Sequence, residues 1–160
     1  MKKFINEVDS LFTESIHGFA KAHADIVSLY DEPCYITRSQ IRKDKVAIIS
    51  GGGSGHEPLH TGFIGKGMLD AACPGQIFTS PTPDQMLAAA EAVVGDAGVL
   101  FIVKNYAGDV MNFEIATEML NCPNASVLID DDVSLPKDHS TGRRGVAGTL
   151  IVEKIVGAAA

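Results

Sequence analysis

At 160 residues, 46% of them apolar, the chain has the length of one ordinary domain and enough apolar side chains for a sizeable core. Its formal charge of -7 and pI near 5.1 offer no clustered positive field, so neither nucleic acid nor a membrane is expected as a partner. No stretch reaches the roughly 18 unbroken apolar residues of a membrane helix. Cys34, Cys73 and Cys122, widely spaced and odd in number, suggest neither a disulfide framework nor a thiolate metal set, which makes a reducing cytoplasm the expected setting.

Phe4, Ile5, Val8, Leu11, Phe12, Ile16 and Phe19 recur at intervals of three and four, predicting an amphipathic helix over the first twenty residues. A polar, proline-containing connector is expected to follow, to about Asp44. The texture then changes to short apolar runs: KVAIIS (45–50), QIFTS (76–80), GVLFIVKN (98–105) and ASVLID (125–130). Helical patterns fall between them at Pro83 to Val94 and Val110 to Leu120, and GVAGTLIVEKIVGAAA reads as a last helix. Aliphatic runs without strict alternation fit strands covered on both faces. The expected fold is therefore α/β, three layers α/β/α around a mostly parallel sheet. The last helix stops at apolar residues without a polar cap, as a cut would leave it or a surface meant to meet more protein.

Each unusual stretch falls just past the carboxyl end of a predicted strand: Gly51 to His56, Pro81 to Asp84, Lys104 to Asp109 and Asp130 to Asp132. In open α/β sheets ligands bind along that edge. The first stretch, GGGSGHEPLH, formally contains H-E-x-x-H at His56 to His60. A zinc site of that kind needs both histidines on one helix face, and Pro58 disfavours helical backbone at Glu57. Nucleotide motifs fail too. Gly65-Lys66 is followed by Gly67 where a P-loop needs a hydroxyl, and His56 stands where a dinucleotide fingerprint needs glycine. G-x-S-x-G also fails, because around Ser54 the first glycine is present at Gly52 but His56 stands where the last is needed.

What remains is a run of glycines expected to present backbone N–H groups to an oxygen-rich ligand, with His56 at its lip to move a proton. The alternative is a tight turn with a structurally bonded histidine. In KNYAGD, Lys104 is a candidate donor to a carbonyl or hydroxyl oxygen, and Asp109 a candidate acceptor of a hydroxyl proton; a solvated ion pair is the plainer alternative. Asp130-Asp131-Asp132 suits either Mg²⁺ or a cap, with the cap favoured, so no metal is assigned. Arg143-Arg144 suits either phosphate or a structural contact. His17, His23, His60 and His139 carry no second feature and read as surface or packing residues.

The stretches ISGGGSGHEP (49–58), GKGMLDAACPGQIFTSPTPDQ (65–85), KNYAGDVMNFEIA (104–116), and IDDDV followed by GRRGVAGT, resemble the N-terminal part of the dihydroxyacetone-binding subunit of dihydroxyacetone kinases. The resemblance implies one N-terminal kinase domain over 1–160, truncated at its C-terminal end. It implies dihydroxyacetone contacts from Gly53, Ser54, Gly55, His56, Lys104 and Asp109, with His56 and Asp109 handling the proton of the hydroxyl that is phosphorylated. It further implies no cofactor in this chain, ADP or ATP with Mg on a nucleotide-binding partner subunit, and a homodimer. The family's covalent substrate-binding histidine is implied to lie beyond this sequence. A non-catalytic, dihydroxyacetone-sensing regulatory paralogue is the alternative.

Overall fold

The computed structural model describes residues 2–136, 138 and 140–160; His139 lies outside them. The strands are β1 (Val27–Tyr30), β2 (Tyr35–Arg38), β3 (Ala47–Ser54), β4 (Ala71–Ile77), β5 (Val99–Lys104) and β6 (Asn124–Ile129). They form one sheet in the order β1-β2-β4-β3-β5-β6. β4, β3, β5 and β6 run parallel, while β1 and β2 make an antiparallel hairpin added to the β4 side. The helices are α1 (Leu11–Ala22), α2 (Pro83–Val93), α3 (Ala107–Met119) and α4 (Gly148–Ala159).

Alternation along the strands sends successive side chains to opposite faces. Ala47, Ile49, Phe101 and Val103 meet Met86, Ala90 and Val93 of α2 and Phe113 and Ala116 of α3. Ile48, Ile36, Ala72 and Ile102 meet Ile16 of α1 and Val152 and Val156 of α4. The result is the expected α/β/α sandwich. Phe101 and Phe113 are fully buried and pack edge to face at 5.4 Å; burial of each contributes about 2–3 kcal/mol.

Local chemistry explains the helix starts. α2 opens with Pro83 at its first position, where a missing N–H is harmless, and Gln85 reaches back to accept the Thr82 N–H at 2.9 Å. Asp131 accepts the N–H groups of Val146 and Gly148, both at 2.7 Å, at the start of α4. Asp132 accepts from Ser134 N and Arg144, and Arg143 donates to the Leu135 carbonyl. The acidic run and the arginine pair thus shape the loop before α4.

Three expectations differ from the structure. The first helix begins at Leu11, after Ser10 and Asn6 both engage the Glu14 carboxylate, and Phe4 is left fully exposed. The connector contains the β1–β2 hairpin. The second predicted strand lies earlier than QIFTS, at Ala71–Ile77, because small residues let β4 press against the glycines of β3.

Candidate active site at the carboxyl edge of the sheet

The chain leaves β3 toward β4 on one side, then crosses through α2 to β5 on the other side and continues to β6. The connections therefore diverge between β3 and β5, the point where open α/β sheets form a ligand crevice. A cavity of about 160 Å³ lies there, walled by Gly53 and His56, by Phe78 and Ser80, and by Lys104, Tyr106 and Asp109. This is well below the 300–1,000 Å³ typical of pockets for drug-sized ligands. It suits a molecule of a few heavy atoms.

Larger hollows of about 590 and 690 Å³ run along α1. The unpartnered buried polar atoms distinguish the sites. Among the described residues these are His60 Nε2, Asp109 Oδ1 and Glu153 Oε2, and none belongs to a residue lining the hollows along α1. Buried polar atoms without partners are rare and require an explanation. Asp109 Oδ1 has one in the cavity its side chain lines.

Asp109 sits in the first turn of α3, not in a loop, so the helix N-terminus favours its charge. Burial acts in the opposite direction and raises its pKa, against a hydrogen bond from Ser80 and the fields of Lys104, His60 and His56. Lys104, the last residue of β5, is only 3% exposed, and its ammonium lies 5.2 Å from the Tyr106 ring centroid. Burial lowers its pKa while Asp109 and Glu153 oppose the shift. His56 is exposed and packs edge-on against Phe78 at 5.2 Å. Phe78 takes a left-handed φ of 51°, uncommon for a bulky residue, at this wall.

Gly53, His56, Lys104 and Asp109 are thus brought together. Ser54 and Gly55 are not among the lining residues. Ser54 is buried with its hydroxyl donating to the Gly75 carbonyl at 2.7 Å, and Gly55 borders a separate groove beside α1. The open nest of N–H groups expected from the glycines needs correction as well. Gly51, Gly52 and Gly53 continue β3, and the Gly55 N–H is taken by the Glu57 carboxylate at 3.0 Å. Their role is close approach: a Cβ on Gly52 would stand 3.2 Å from Lys104 Nζ.

Of the two expectations for His60, surface or packing, the structure shows the second. Its ring is buried, with Nδ1 2.9 Å from Oε1 of the fully buried Glu153 on α4. Burial pushes the imidazole down to about 3 and the Glu153 carboxyl up to about 8, so both are neutral near pH 7. The pair is a neutral hydrogen bond. Residues 56–60 form turns, not a helix, as the zinc argument required. Glu153 lies far away in sequence, inside an apolar helix; its lone carboxylate there was the available signal.

The Dak1 domain family model matches residues 17–160 of this chain. The chain belongs to the Dak1 family. It is 53% identical to the dihydroxyacetone-binding subunit DhaK of the PEP-dependent dihydroxyacetone kinase of Escherichia coli (strain K12), over 100% of this chain and 46% of that protein. It is 49% identical to the corresponding PTS-dependent subunit of Listeria innocua, over 50% of that protein. The chain spans about half the length of these curated relatives. The crystal structure of the dihydroxyacetone kinase from C. freundii in complex with AMP-PNP and Mg²⁺ superposes with a TM-score of 0.91 at 44% identity, covering 98% of this chain and 30% of that one. A dihydroxyacetone kinase operon co-activator superposes at 0.85 with 33% identity, covering 96% of this chain and 47% of that one.

Proposed function

We propose that this chain forms the dihydroxyacetone-binding part of a dihydroxyacetone kinase, and that the cavity between β3 and β5 holds the triose. The observation that carries this reading is the convergence of a buried cation, a buried carboxyl with an unpartnered oxygen, and a histidine around about 160 Å³. A small polyol offers little apolar surface, so its selection rests on such hydrogen bonds. Lys104 donates to a ligand oxygen. Asp109 and His56 stand where they can accept the proton of the acceptor hydroxyl as its oxygen attacks phosphorus. Gly53 lets the chain approach the ligand without a side chain between.

The cavity suits a small molecule and the sequence has no P-loop, so the nucleotide, ADP or ATP with Mg, is assigned to a partner subunit, and the phosphoryl donor is either ATP or a phosphoenolpyruvate-linked protein. Kinship with PEP- and PTS-dependent subunits supports a phosphotransferase-linked donor. A cytoplasmic homodimer belongs to the same reading. The regulatory alternative is not favoured, since identity to the co-activator is 33% against 53% to the kinase subunit.

Calorimetric titration of the full natural polypeptide with dihydroxyacetone tests the binding claim. Complementation of a strain lacking the subunit, with His56→Ala and Asp109→Ala, tests the roles. Unimpaired growth with both variants would rule the roles out.

A further inference from the structure

Phe78 stands at the cavity in a backbone conformation that a bulky side chain rarely takes, and the acceptor chemistry above does not use it. Its φ is 51° and the residue is 70% exposed, so neither a turn preference nor core burial accounts for a phenylalanine there. A residue held at such a φ beside a ligand site is a reason to look for function. The surrounding backbone keeps its ring in one place. The Phe78 N–H donates to the Ser54 carbonyl at 2.8 Å, tying the loop after β4 to the end of β3. Gly55 follows Ser54 with a φ of 103°, and a Cβ there would stand 2.8 Å from Cε1 and Cζ of Phe78, so the ring occupies the space that any side chain at 55 would need. The next residue is His56. Its ring meets that of Phe78 edge to face, with centroids 5.2 Å apart and planes 78° apart, and both residues line the cavity.

We propose that Phe78 is a positioning residue for His56: seated over the bare backbone of Gly55, its ring holds the imidazole at the lip of the cavity, turned to the acceptor hydroxyl. The inference rests on reading that cavity as the dihydroxyacetone site. A proton acceptor must stand within hydrogen-bond reach of the hydroxyl as its oxygen attacks. Asp109 is held for this by burial in the first turn of α3, and Lys104 by burial at the end of β5. His56 is exposed, and among the described residues its ring has no hydrogen-bonded partner, so without support χ1 alone offers it three staggered positions. Of the three groups assigned to the acceptor chemistry, it is the one that needs a prop, and Phe78 is the ring that touches it. The type of contact suits the task. An edge-to-face pair restrains the imidazole without engaging either nitrogen, whereas a hydroxyl or amide in that place would occupy one by hydrogen bonding. The same contact accounts for Gly55, which does not line the cavity but leaves the seat for the ring.

The test uses the full natural polypeptide, with its partner subunit and phosphoryl donor for the kinetics. In the unsubstituted protein, NOEs should connect the ring hydrogens of His56 and Phe78; their absence overturns the proposal whatever the activity. Phe78→Tyr keeps the ring and Phe78→Leu removes it, while both keep a Cβ at the same left-handed position, so the difference between them reports the ring. The single-turnover rate of dihydroxyacetone phosphorylation, at saturating dihydroxyacetone and partner subunit, should fall about three- to tenfold in Phe78→Leu, as His56 is released among its rotamers, and stay within about twofold in Phe78→Tyr. The calorimetric Kd for dihydroxyacetone should be the same in both variants, because the role lies in orienting the proton acceptor and not in holding the ligand. No rate loss in Phe78→Leu, an equal loss in Phe78→Tyr, or a Kd that weakens by the whole of the loss overturns the positioning role. An unsubstituted protein that binds no dihydroxyacetone overturns the reading of the cavity instead, and the ring NOEs still decide the His56 geometry.

Discussion

Gly53→Ala tests the close approach of β3 to the loop that walls the cavity. Gly53 faces Gly75 across the β3–β4 ladder, immediately before the register slips at Ser54. An added methyl carbon would stand 2.6 Å from Thr79 N and 2.9 Å from the Phe78 carbonyl carbon. Ordinary contact begins near 3.4 Å, so the Phe78–Thr79 backbone must retreat by 3.4 − 2.6 = 0.8 Å. The obstacle is backbone on both counts, so no rotamer change relieves it. That segment carries Phe78 and leads into Ser80, two walls of the cavity and, through Ser80, the partner of Asp109. Overpacking of this kind costs about 1–3 kcal/mol of stability. A displacement near 1 Å at a positioned site costs about 100-fold in rate. In the complete kinase, steady-state phosphorylation of dihydroxyacetone should show kcat/KM lower by about 100-fold, with a melting temperature down by roughly 2–12 °C. Unchanged kcat/KM in a protein whose melting temperature has fallen would refute the placement of the ligand against β3.

Gly18→Ala supplies the opposite case: it lies mid-helix in α1 with nothing within 4 Å of its Cβ position, so thermal melts should rise by the equivalent of about 0.5–1 kcal/mol. Asp109→Asn should lower kcat for dihydroxyacetone phosphorylation by about 10²–10⁴, because an amide cannot take the hydroxyl proton, as steady-state kinetics of the complete kinase would show. Glu153 carries its own pH signature. Its folded pKa of about 8 lies above the ordinary carboxyl value of 4.5, so the folded state holds the extra proton and stability falls as pH rises from 4.5 to 8. Glu153→Gln removes this loss, and its stability relative to the unsubstituted protein should increase through that window. His60 acts in the other direction: its pKa of about 3 against 6.5 makes stability fall as pH drops from 6.5 to 3, a limb that His60→Gln should flatten.

The parallel core of the fold was legible because β3, β5 and β6 are built from β-branched and aliphatic runs that match sheet packing. The edge hairpin was not. VSLY and YITR are four residues each, too short to declare a period, and the DEPC turn between them carries the polarity of a connector. β4 was displaced in the prediction because AACPGQI has little intrinsic strand propensity; it is a strand because it fits against β3. A Cβ on Gly51 would stand 2.7 Å from the Cys73 carbonyl oxygen, so only small residues allow this spacing, and propensity yields to tertiary packing.

Within the candidate site, the residues singled out by unusual local chemistry, Gly53, His56, Lys104 and Asp109, converge as the strand-edge argument required. Ser54 and Gly55, implied by the resemblance, do not line the cavity: the Ser54 hydroxyl is bonded to the Gly75 carbonyl, and Gly55 borders the groove beside α1. His60 and Glu153 were missed for a different reason. They are 93 residues apart, and their meaning comes from a contact across layers that no local pattern records.

The central claim is the location of the triose, and a structure of the full polypeptide crystallised with dihydroxyacetone tests it most directly. The account predicts ligand oxygens within hydrogen-bonding distance of Lys104 Nζ and the Asp109 carboxyl, with the carbon chain against Gly53. Ordered dihydroxyacetone in the groove of Leu11, Ile16, Glu57 and Ile77, with the cavity between β3 and β5 empty, would contradict it.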